Sequence, residues 1–121
     1  MTLRTGVDLC EIDRVREAIE RHGERILARI FTPTERAQCG ENYASLAARF
    51  AAKEAVAKAL GTGLGVVSFT EIEIVRAESG EPLLGLHGDA KAAADRLGLK
   101  EWAISLSHTH EFAVASVVAV G

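Results

Sequence analysis

The 121-residue chain is about one domain long, and its 48% hydrophobic and 26% charged residues exclude a disordered chain. Its formal net charge of −3 argues against a nucleic-acid partner, which needs a basic excess to displace counterions. No run approaches the roughly 18 apolar residues of a membrane span, and Cys10 and Cys39 follow no secretory signal or metal-ligand spacing. We therefore expect a reduced, cytoplasmic protein with no membrane partner.

The N-terminal part predicts a strand followed by basic helices. Residues 2–9 form a short apolar run that predicts a strand with Asp8 at its C-terminal end, and Asp13 is a candidate cap for the next helix. Gly23 interrupts the helical pattern. A sixteen-residue stretch contains five arginines, Arg14, Arg16, Arg21, Arg25 and Arg29. These arginines predict either recognition of an acidic partner helix or an ordinary solvated surface.

The middle of the chain predicts two helices and a glycine-rich loop. Thr32 and Glu35, with Pro33 between them, have the pattern of a capping box, so a helix begins there. The alanine-rich residues 45–60 predict the longest helix, which Gly61 ends. Three glycines within residues 61–65 allow the backbone to approach a ligand or a neighbouring segment closely.

The C-terminal half predicts two hairpins separated by a helix. Residues 72–86 alternate as strands around a turn, and residues 90–97 predict a helix that ends at Gly98. Residues 102–106 and 112–118 predict a terminal hairpin. Because the chain has neither a repeat nor a linker, we expect a single α+β domain spanning residues 1–121.

Glu54 and Lys58 lie four residues apart on the longest predicted helix, so their side chains share one face. One interpretation is a surface ion pair. The other is a site for a metal and a phosphate, because carboxylates bind a hard cation and an ammonium balances an anion. Mg²⁺ commonly takes one or two carboxylates, and Asp8 is the candidate for the second unless it is only a cap or turn residue.

Hydroxyls and imidazoles follow one another in Ser107-His108-Thr109-His110, in the turn of the last predicted hairpin. These groups predict either a phosphate-binding turn or no more than a polar turn. A catalytic Ser–His pair is disfavoured, because adjacent side chains on a strand point to opposite faces.

Three motifs occur in order over nearly the whole chain. They are Gly6-Val7-Asp8-Leu9 with Glu11 and Arg14, Arg49-Phe50-Ala51-Ala52-Lys53-Glu54-Ala55 with Lys58-Ala59-Leu60-Gly61-Thr62-Gly63, and Ser105-Leu106-Ser107-His108-Thr109. Together they resemble the holo-acyl-carrier-protein synthases, the small bacterial class of phosphopantetheinyl transferases. The resemblance implies helices packed on a curved antiparallel sheet, and a homotrimer with active sites between subunits.

The resemblance also implies an activity. A member of this family transfers 4′-phosphopantetheine from coenzyme A to a serine of apo-acyl carrier protein and releases 3′,5′-ADP, with fatty-acid synthesis as the default pathway. By the same likeness, Asp8 and Glu54 would bind Mg²⁺ with the coenzyme A diphosphate, and Lys58 would contact the phosphates. Glu54 is the favoured general base, either directly or through a water that the metal holds.

The remaining site residues are likewise implied by the resemblance. Coenzyme A contacts are expected at Arg49, Gly61, Gly63, Pro82, Ser107, His108 and Thr109, and carrier-protein contacts at Arg14, Arg21, Arg25 and Arg29. Arg49, His108 and Thr109 would face the 3′-phosphate and adenosine across the subunit boundary, with Pro82 near the adenine. The chain departs from many relatives at Ile26, where a phenylalanine is frequent.

Two other functions stay open at this point. A coenzyme A or nucleotide-binding module without transferase activity would keep Lys58, the glycine loop and His108, but it would not need paired acidic ligands. A structural oligomer would bind no ligand at all. The presence of both Asp8 and Glu54 favours the enzyme.

Overall fold

The computed structural model describes residues 1–121 and contains five strands and five α-helices. The strands are β1 (Leu3–Glu11), β2 (Ile72–Arg76), β3 (Pro82–Leu86), β4 (Glu101–His108) and β5 (Phe112–Val120). The helices are α1 (Ile12–His22), α2 (Glu24–Ile30), α3 (Pro33–Cys39), α4 (Tyr43–Leu60) and α5 (Gly88–Arg96). The α+β class predicted from the sequence is confirmed.

The strands form two antiparallel sheets. A three-stranded sheet has the order β1–β5–β4, with Asp8 opposite Ala115 and Leu106 opposite the same alanine from the other side. The second sheet pairs β2 with β3, and Ile74 lies opposite Leu84. Both predicted hairpins are therefore present.

Helix α4 lies against the inner face of the three-stranded sheet, and small side chains hold the two surfaces close together. Ala51, Ala55 and Ala59 on the helix are 0% exposed, as are Ala115 and Ala119 on β5. A helix that is buried around most of its circumference has no strongly polar face, which accounts for its even apolar pattern. None of the helices, α4 included, combines the length and apolar character needed to cross a membrane.

Two predictions about the entry into α1 are wrong. Strand β1 continues to Glu11, which pairs with Phe112, so Asp8 lies inside the strand rather than at its C-terminal end. Helix α1 begins at Ile12, so Asp13 lies in the first turn and does not cap the helix. The physical reason is the long partner strand, because hydrogen bonds to β5 keep β1 extended beyond the last residue of its apolar run.

The predicted helix ends agree with the structure where capping chemistry marks them. Thr32 Oγ1 accepts from the Glu35 amide at 3.2 Å, and Glu35 Oε1 accepts from the Thr32 amide at 2.8 Å. Gly61 ends α4 in the left-handed conformation, with φ of 73°. The start of α4 lies two residues before the predicted one, because the Asn42 side chain caps it by accepting from the Ser45 amide.

The uncovered face of the three-stranded sheet carries several exposed apolar side chains on β1 and β5. Leu3, Val7 and Leu9 on β1 are 62%, 59% and 62% exposed, and Phe112 and Val118 on β5 are 38% and 40% exposed. These side chains alternate with the residues that pack on α4, so one sheet presents apolar side chains on both of its faces. We call the uncovered side the outer sheet face.

Candidate active site

The predicted acidic pair meets where β1 lies on α4. Because side chains alternate along a strand, Asp8 is on the inner face of β1 and points toward the helix. Lys58 Nζ lies 3.0 Å from Asp8 Oδ1 and donates to the Val7 carbonyl oxygen at 2.9 Å. The strand and the helix are therefore joined by Lys58 at this point.

Lys58 forms its ion pair with Asp8 rather than with Glu54, so the interpretation as an isolated pair on a helix surface is not what the structure contains. The Lys58 side chain remains 55% exposed, whereas Asp8 is 18% exposed. An ammonium held by one carboxylate and still open to solvent is able to contact an incoming phosphate.

Glu54 lies in an environment that disfavours its charged form. Partial burial raises the pKa of its carboxyl, the negative charge of Asp8 raises it further, and Lys58 opposes the rise. Burial and the same two carboxylates raise the pKa of the Cys10 thiol to about 11. Cys10 Sγ donates to the Ala47 carbonyl oxygen at 3.3 Å, so this cysteine is a protonated thiol at neutral pH rather than a nucleophile.

The two carboxylates fit a magnesium ion that is shared with a substrate. No group of three or more His, Cys, Asp or Glu side chains is arranged to hold a metal. Mg²⁺ is usually bound by one or two carboxylates and completes its shell with waters and substrate phosphates. Asp8 and Glu54 raise one another's energy by like-charge repulsion, which a cation between them would relieve.

An apolar cavity of about 620 Å³ opens beside the acidic pair. Asp8, Glu54 and Arg14 supply most of its polar lining. The apolar lining comes from α1, α2, α4 and the ends of the neighbouring segments, and includes Val15, Ile19, Ile26, Phe31, Phe50 and Phe112. An apolar group of a substrate or partner would fit here, directly next to the two carboxylates.

Four of the arginines near the N-terminus are exposed and make no ion pair: Arg14, Arg21, Arg25 and Arg29. By contrast, Arg16 pairs with Asp13 and Glu20, each at 3.3 Å. We call the four unpaired residues the docking arginines. They are the same four for which the family resemblance implies carrier-protein contacts, and Arg14 lines the apolar cavity.

A second cavity, of about 210 Å³, brings together four of the predicted coenzyme A contacts: Arg49, Pro82, Ser107 and His108. Ser45 and Arg76 also line it and were not predicted. Arg49 is only 4% exposed, and its Nη1 donates to the Glu35 carbonyl oxygen at 3.4 Å. Guanidinium groups, an imidazole and hydroxyls make this cavity suitable for a phosphate.

Besides Lys58, three predicted coenzyme A contacts lie outside both cavities. Thr109 Oγ1 accepts from the backbone amides of Glu111 and Phe112, at 3.3 Å and 3.1 Å, and so closes the turn between β4 and β5. Gly61 and Gly63 follow α4 with φ of 73° and 71°, a conformation that favours glycine. Within one chain, these residues have a structural role in turns.

Helix α4 separates the two groups of predicted site residues. Glu54 lines the apolar cavity and Arg49 lines the second one, and the two cavities share no residue. Five residues along a helix correspond to a rotation of about 140°, so the two side chains leave α4 in different directions. One copy of the chain therefore presents the acidic pair and the Arg49 cavity on different sides of this helix.

Sequence reasoning missed a buried ion pair between α3 and α4. Lys53 Nζ lies 2.8 Å from Glu35 Oε1, both side chains are 0% exposed, and Lys53 also donates to the carbonyl oxygens of Phe69 and Ile72. Burial lowers the pKa of Lys53, and the Glu35 carboxylate opposes that fall. The only signal in the sequence was a lysine inside an alanine-rich helix, and nothing there identified its partner.

The sequence matches a known family over most of its length. Residues 4–115 match the 4′-phosphopantetheinyl transferase superfamily. The holo-[acyl-carrier-protein] synthase of Herpetosiphon aurantiacus is 48% identical, covering 98% of this chain and 99% of that protein. The holo-[acyl-carrier-protein] synthase of Moorella thermoacetica is 52% identical, covering 93% and 90%.

Solved structures show the same fold. The Helicobacter pylori holo-[acyl-carrier-protein] synthase, crystallised in complex with coenzyme A, has a TM-score of 0.88 at 33% identity and covers 96% of this chain and 99% of its own. The synthase from Neisseria meningitidis has a TM-score of 0.88 at 34% identity, with 98% of each chain covered. On the agreement of sequence, fold and site geometry, this chain belongs to the 4′-phosphopantetheinyl transferase superfamily and, within it, to the holo-[acyl-carrier-protein] synthases.

Proposed function

We propose that this protein transfers the 4′-phosphopantetheine moiety of coenzyme A to a serine of apo-acyl carrier protein, releasing 3′,5′-ADP, with Mg²⁺ in the cytoplasm and in support of fatty-acid synthesis. The meeting of Asp8, Glu54 and Lys58 beside an open apolar cavity carries the proposal. Relatives solved with coenzyme A from Helicobacter pylori and with coenzyme A (3′,5′-ADP) from Bacillus anthracis support the donor.

Asp8 and Glu54 would hold the Mg²⁺, as their chemistry and mutual repulsion support. When bound, Mg²⁺ supplies charge neutralisation for the diphosphate of coenzyme A. Lys58, fixed by Asp8 and the Val7 carbonyl oxygen, would face the same phosphates with its exposed ammonium. Phosphoryl transfer depends mainly on such positioning and electrostatic stabilisation.

Transfer breaks one bond and forms one. The serine oxygen of the carrier protein bonds to the β-phosphorus, the bond from that phosphorus to the bridging oxygen breaks, and its electron pair leaves with 3′,5′-ADP. Glu54 would take the serine proton, and Lys58 would balance the charge on the departing phosphate. The position of Glu54 in the lining of the apolar cavity supports this role, because a base must lie within reach of the hydroxyl that it deprotonates.

The acidic carrier protein would dock on α1 and α2. The docking arginines are exposed and have no acidic partner within the chain, which supports an acidic partner outside it. The apolar cavity between Arg14 and the acidic pair would receive an apolar side chain next to the acceptor serine. This arrangement would bring the serine hydroxyl toward Glu54.

The protein would work as a homotrimer of single-domain subunits. The apolar side chains exposed on the outer sheet face support self-association, because clustered exposed apolar residues often mark protein–protein contacts. The separation of the two cavities by α4 supports an active site built from two copies. Arg49, Ser107, His108 and Thr109 of one copy would then bind the 3′-phosphate and adenosine, with Pro82 at the adenine, while the glycine loop with Gly61 and Gly63 of the next copy packs near the diphosphate.

The experiment that tests this function is intact-mass spectrometry of apo-acyl carrier protein incubated with the enzyme and coenzyme A, with Mg²⁺ or with a chelator. We expect a gain of one phosphopantetheine mass in the Mg²⁺ sample only. Binding of coenzyme A without any mass gain would instead support a binding module that lacks transferase activity. A mass gain that persists in chelator would contradict the metal requirement.

A further inference from the structure

Gly6 lies where the backbone of β1 comes closest to the backbone of α4. A Cβ atom added to Gly6 would lie 1.9 Å from the carbonyl oxygen of Ala55 and 3.2 Å from the amide nitrogen of Ala59. Both of these atoms belong to the helix backbone, so no side-chain rotation could relieve the overlap. Gly6 does not have a positive φ, so glycine is needed here for space and not for conformation.

This contact lies at the centre of the acidic site. On β1, Asp8 is the next inward-facing residue after Gly6. On α4, Glu54 directly precedes Ala55, and Lys58 follows within one turn. The separation of the two backbones at Gly6 therefore determines how far Asp8 lies from Glu54 and from Lys58.

The facing side of α4 contributes to the close approach. Ala51, Ala55 and Ala59 recur every four residues and are 0% exposed. Small side chains opposite a glycine allow a strand and a helix to pack backbone to backbone. A larger residue at position 6 would have to move the strand, because the helix is buried and held by β5 on the same face.

We infer that Gly6 is a positioning residue for phosphopantetheinyl transfer, because it sets the distance between Asp8 and the catalytic groups on α4. The inference rests on the proposed function. An alanine at position 6 would displace β1 by on the order of 1 Å, the distance needed to restore an ordinary van der Waals contact. A displacement of that size at reacting groups lowers the rate by about 100-fold.

The test compares Gly6→Ala with Leu99→Ala, which removes buried volume from the same core outside the β1–α4 contact. Both variants should have a lower Tm. Only Gly6→Ala should lower kcat, by roughly 100-fold, with the KM for the carrier protein unchanged because the docking arginines are on α1 and α2. Calorimetric titration with Mg²⁺ in the presence of 3′,5′-ADP should give an affinity about tenfold weaker for Gly6→Ala only.

Asp8→Glu supplies a second measurement. Alone, the longer side chain misplaces the carboxylate and lowers kcat. Combined with Gly6→Ala, its extra methylene reaches across the wider gap, so the double variant should be more active than the product of the two single effects. If Gly6→Ala does not fold, Ala59→Ser takes its place. This variant adds one oxygen atom to α4 at a residue that faces Gly6, and it is compared with Leu99→Ala and combined with Asp8→Glu in the same way.

The outcomes distinguish the proposed function from the positioning role of Gly6. An inactive wild-type protein would overturn the proposed function. An active wild-type protein would leave that function standing, and equal kcat values for Gly6→Ala and Leu99→Ala, or an additive double variant, would then overturn the positioning role of Gly6.

Discussion

Glu54 is a partly buried carboxylate next to a second carboxylate, and both features raise its pKa above the ordinary value of 4.5. The folded protein therefore binds a proton at Glu54 more tightly than the unfolded chain does. The resulting contribution to the free energy of unfolding is fully present below about pH 4.5 and is lost as the pH rises through the raised pKa. At neutral pH without a metal, the charged form of Glu54 therefore lowers the free energy of unfolding.

Glu54→Gln should abolish transfer and leave the fold intact. Because glutamine carries no charge next to Asp8, we expect the variant to have the same or a slightly higher Tm than the wild type at neutral pH without metal, by at most a few degrees. The two Tm values should converge as the pH falls toward about 4. Intact-mass assays and thermal unfolding across this pH range measure both effects.

Glu17→Gln makes the same chemical change at an exposed position of α1 and serves as the control. It should leave transfer unchanged. A fully active Glu54→Gln variant would contradict the assigned role of Glu54. If Glu54→Gln has a lower Tm than the wild type at neutral pH without metal, the charged Glu54 carboxylate does not destabilise the fold.

At the scale of single residues, the sequence could predict roles that depend on type and spacing, and not those that depend on contacts between distant segments. Glu54 and Lys58 were identifiable because they share a helix face. The Glu35–Lys53 pair was not, because the capping box accounted for Glu35 and its second role depends on α3 packing against α4. The need for space at Gly6 likewise depends on where α4 lies.

Helices α1 and α2 carry arginines of two kinds. Arg16 is neutralised by Asp13 and Glu20 on its own helix, whereas the docking arginines have no acidic partner. A surface ion pair contributes little to stability, but it does remove a guanidinium from the surface that a partner can reach. The two kinds should therefore respond differently to charge reversal.

The double variant Arg21→Glu and Arg25→Glu should raise the KM for acyl carrier protein by about tenfold or more, because it opposes an acidic partner with like charge. The kcat at saturating carrier should change little, since neither side chain lines the cavity beside Glu54. The rise in KM should shrink at high salt, which screens exposed charges. Steady-state kinetics at two ionic strengths measure this.

Arg16→Glu reverses a charge on the same helix and is the matched control. We expect its KM to stay close to that of the wild type. If Arg16→Glu weakens carrier binding as strongly as the double variant, then overall charge rather than the docking arginines governs recognition.

At the scale of elements, the sequence predicted the helix ends that have their own chemistry. The capping box at Thr32 and the glycine stop at Gly61 are local, and the structure confirms both. The end of β1 was predicted wrongly because it depends on β5, about one hundred residues later in the chain. Local signals mark where helices begin and end, while pairing with a distant strand decides how far a strand extends.

At the scale of the whole molecule, the arrangement that matters is the position of α4 between two cavities. The acidic pair and the Arg49 cavity lie on different sides of this helix, so one chain holds two halves of the proposed site. The fold class was predictable from the order of helices and hairpins. Which faces stay uncovered was not, because the same alternation of apolar residues describes the covered and the open side of a sheet.

If the active site is shared, two inactive variants should complement one another. Asp8→Asn removes a proposed metal ligand, and His108→Glu places a negative charge in the phosphate cavity. Refolding the two variants together should restore both intact halves at about a quarter of the sites, since each half is drawn at random from the two chains. Transfer activity, measured against each variant refolded alone, checks this.

Size-exclusion chromatography with light scattering should show that the refolded mixture is trimeric. If activity recovers in a mixture that is monomeric, the proposal of a site shared between two copies is wrong. No recovery in a trimeric mixture would mean that each chain contains its own complete site.

If the proposed trimer forms through the outer sheet face, the activity of the enzyme should depend on its concentration. Where association covers an apolar surface, the bound copies are favoured by mass action, and dilution separates them. A dissociated copy would keep the hydrophobic core around α4, but its acidic pair and its Arg49 cavity would each lack the partner that a second copy supplies. Specific activity per chain would then fall in dilute samples, and the Tm would rise with protein concentration, so the abundance of the enzyme would itself set how much of it is able to work.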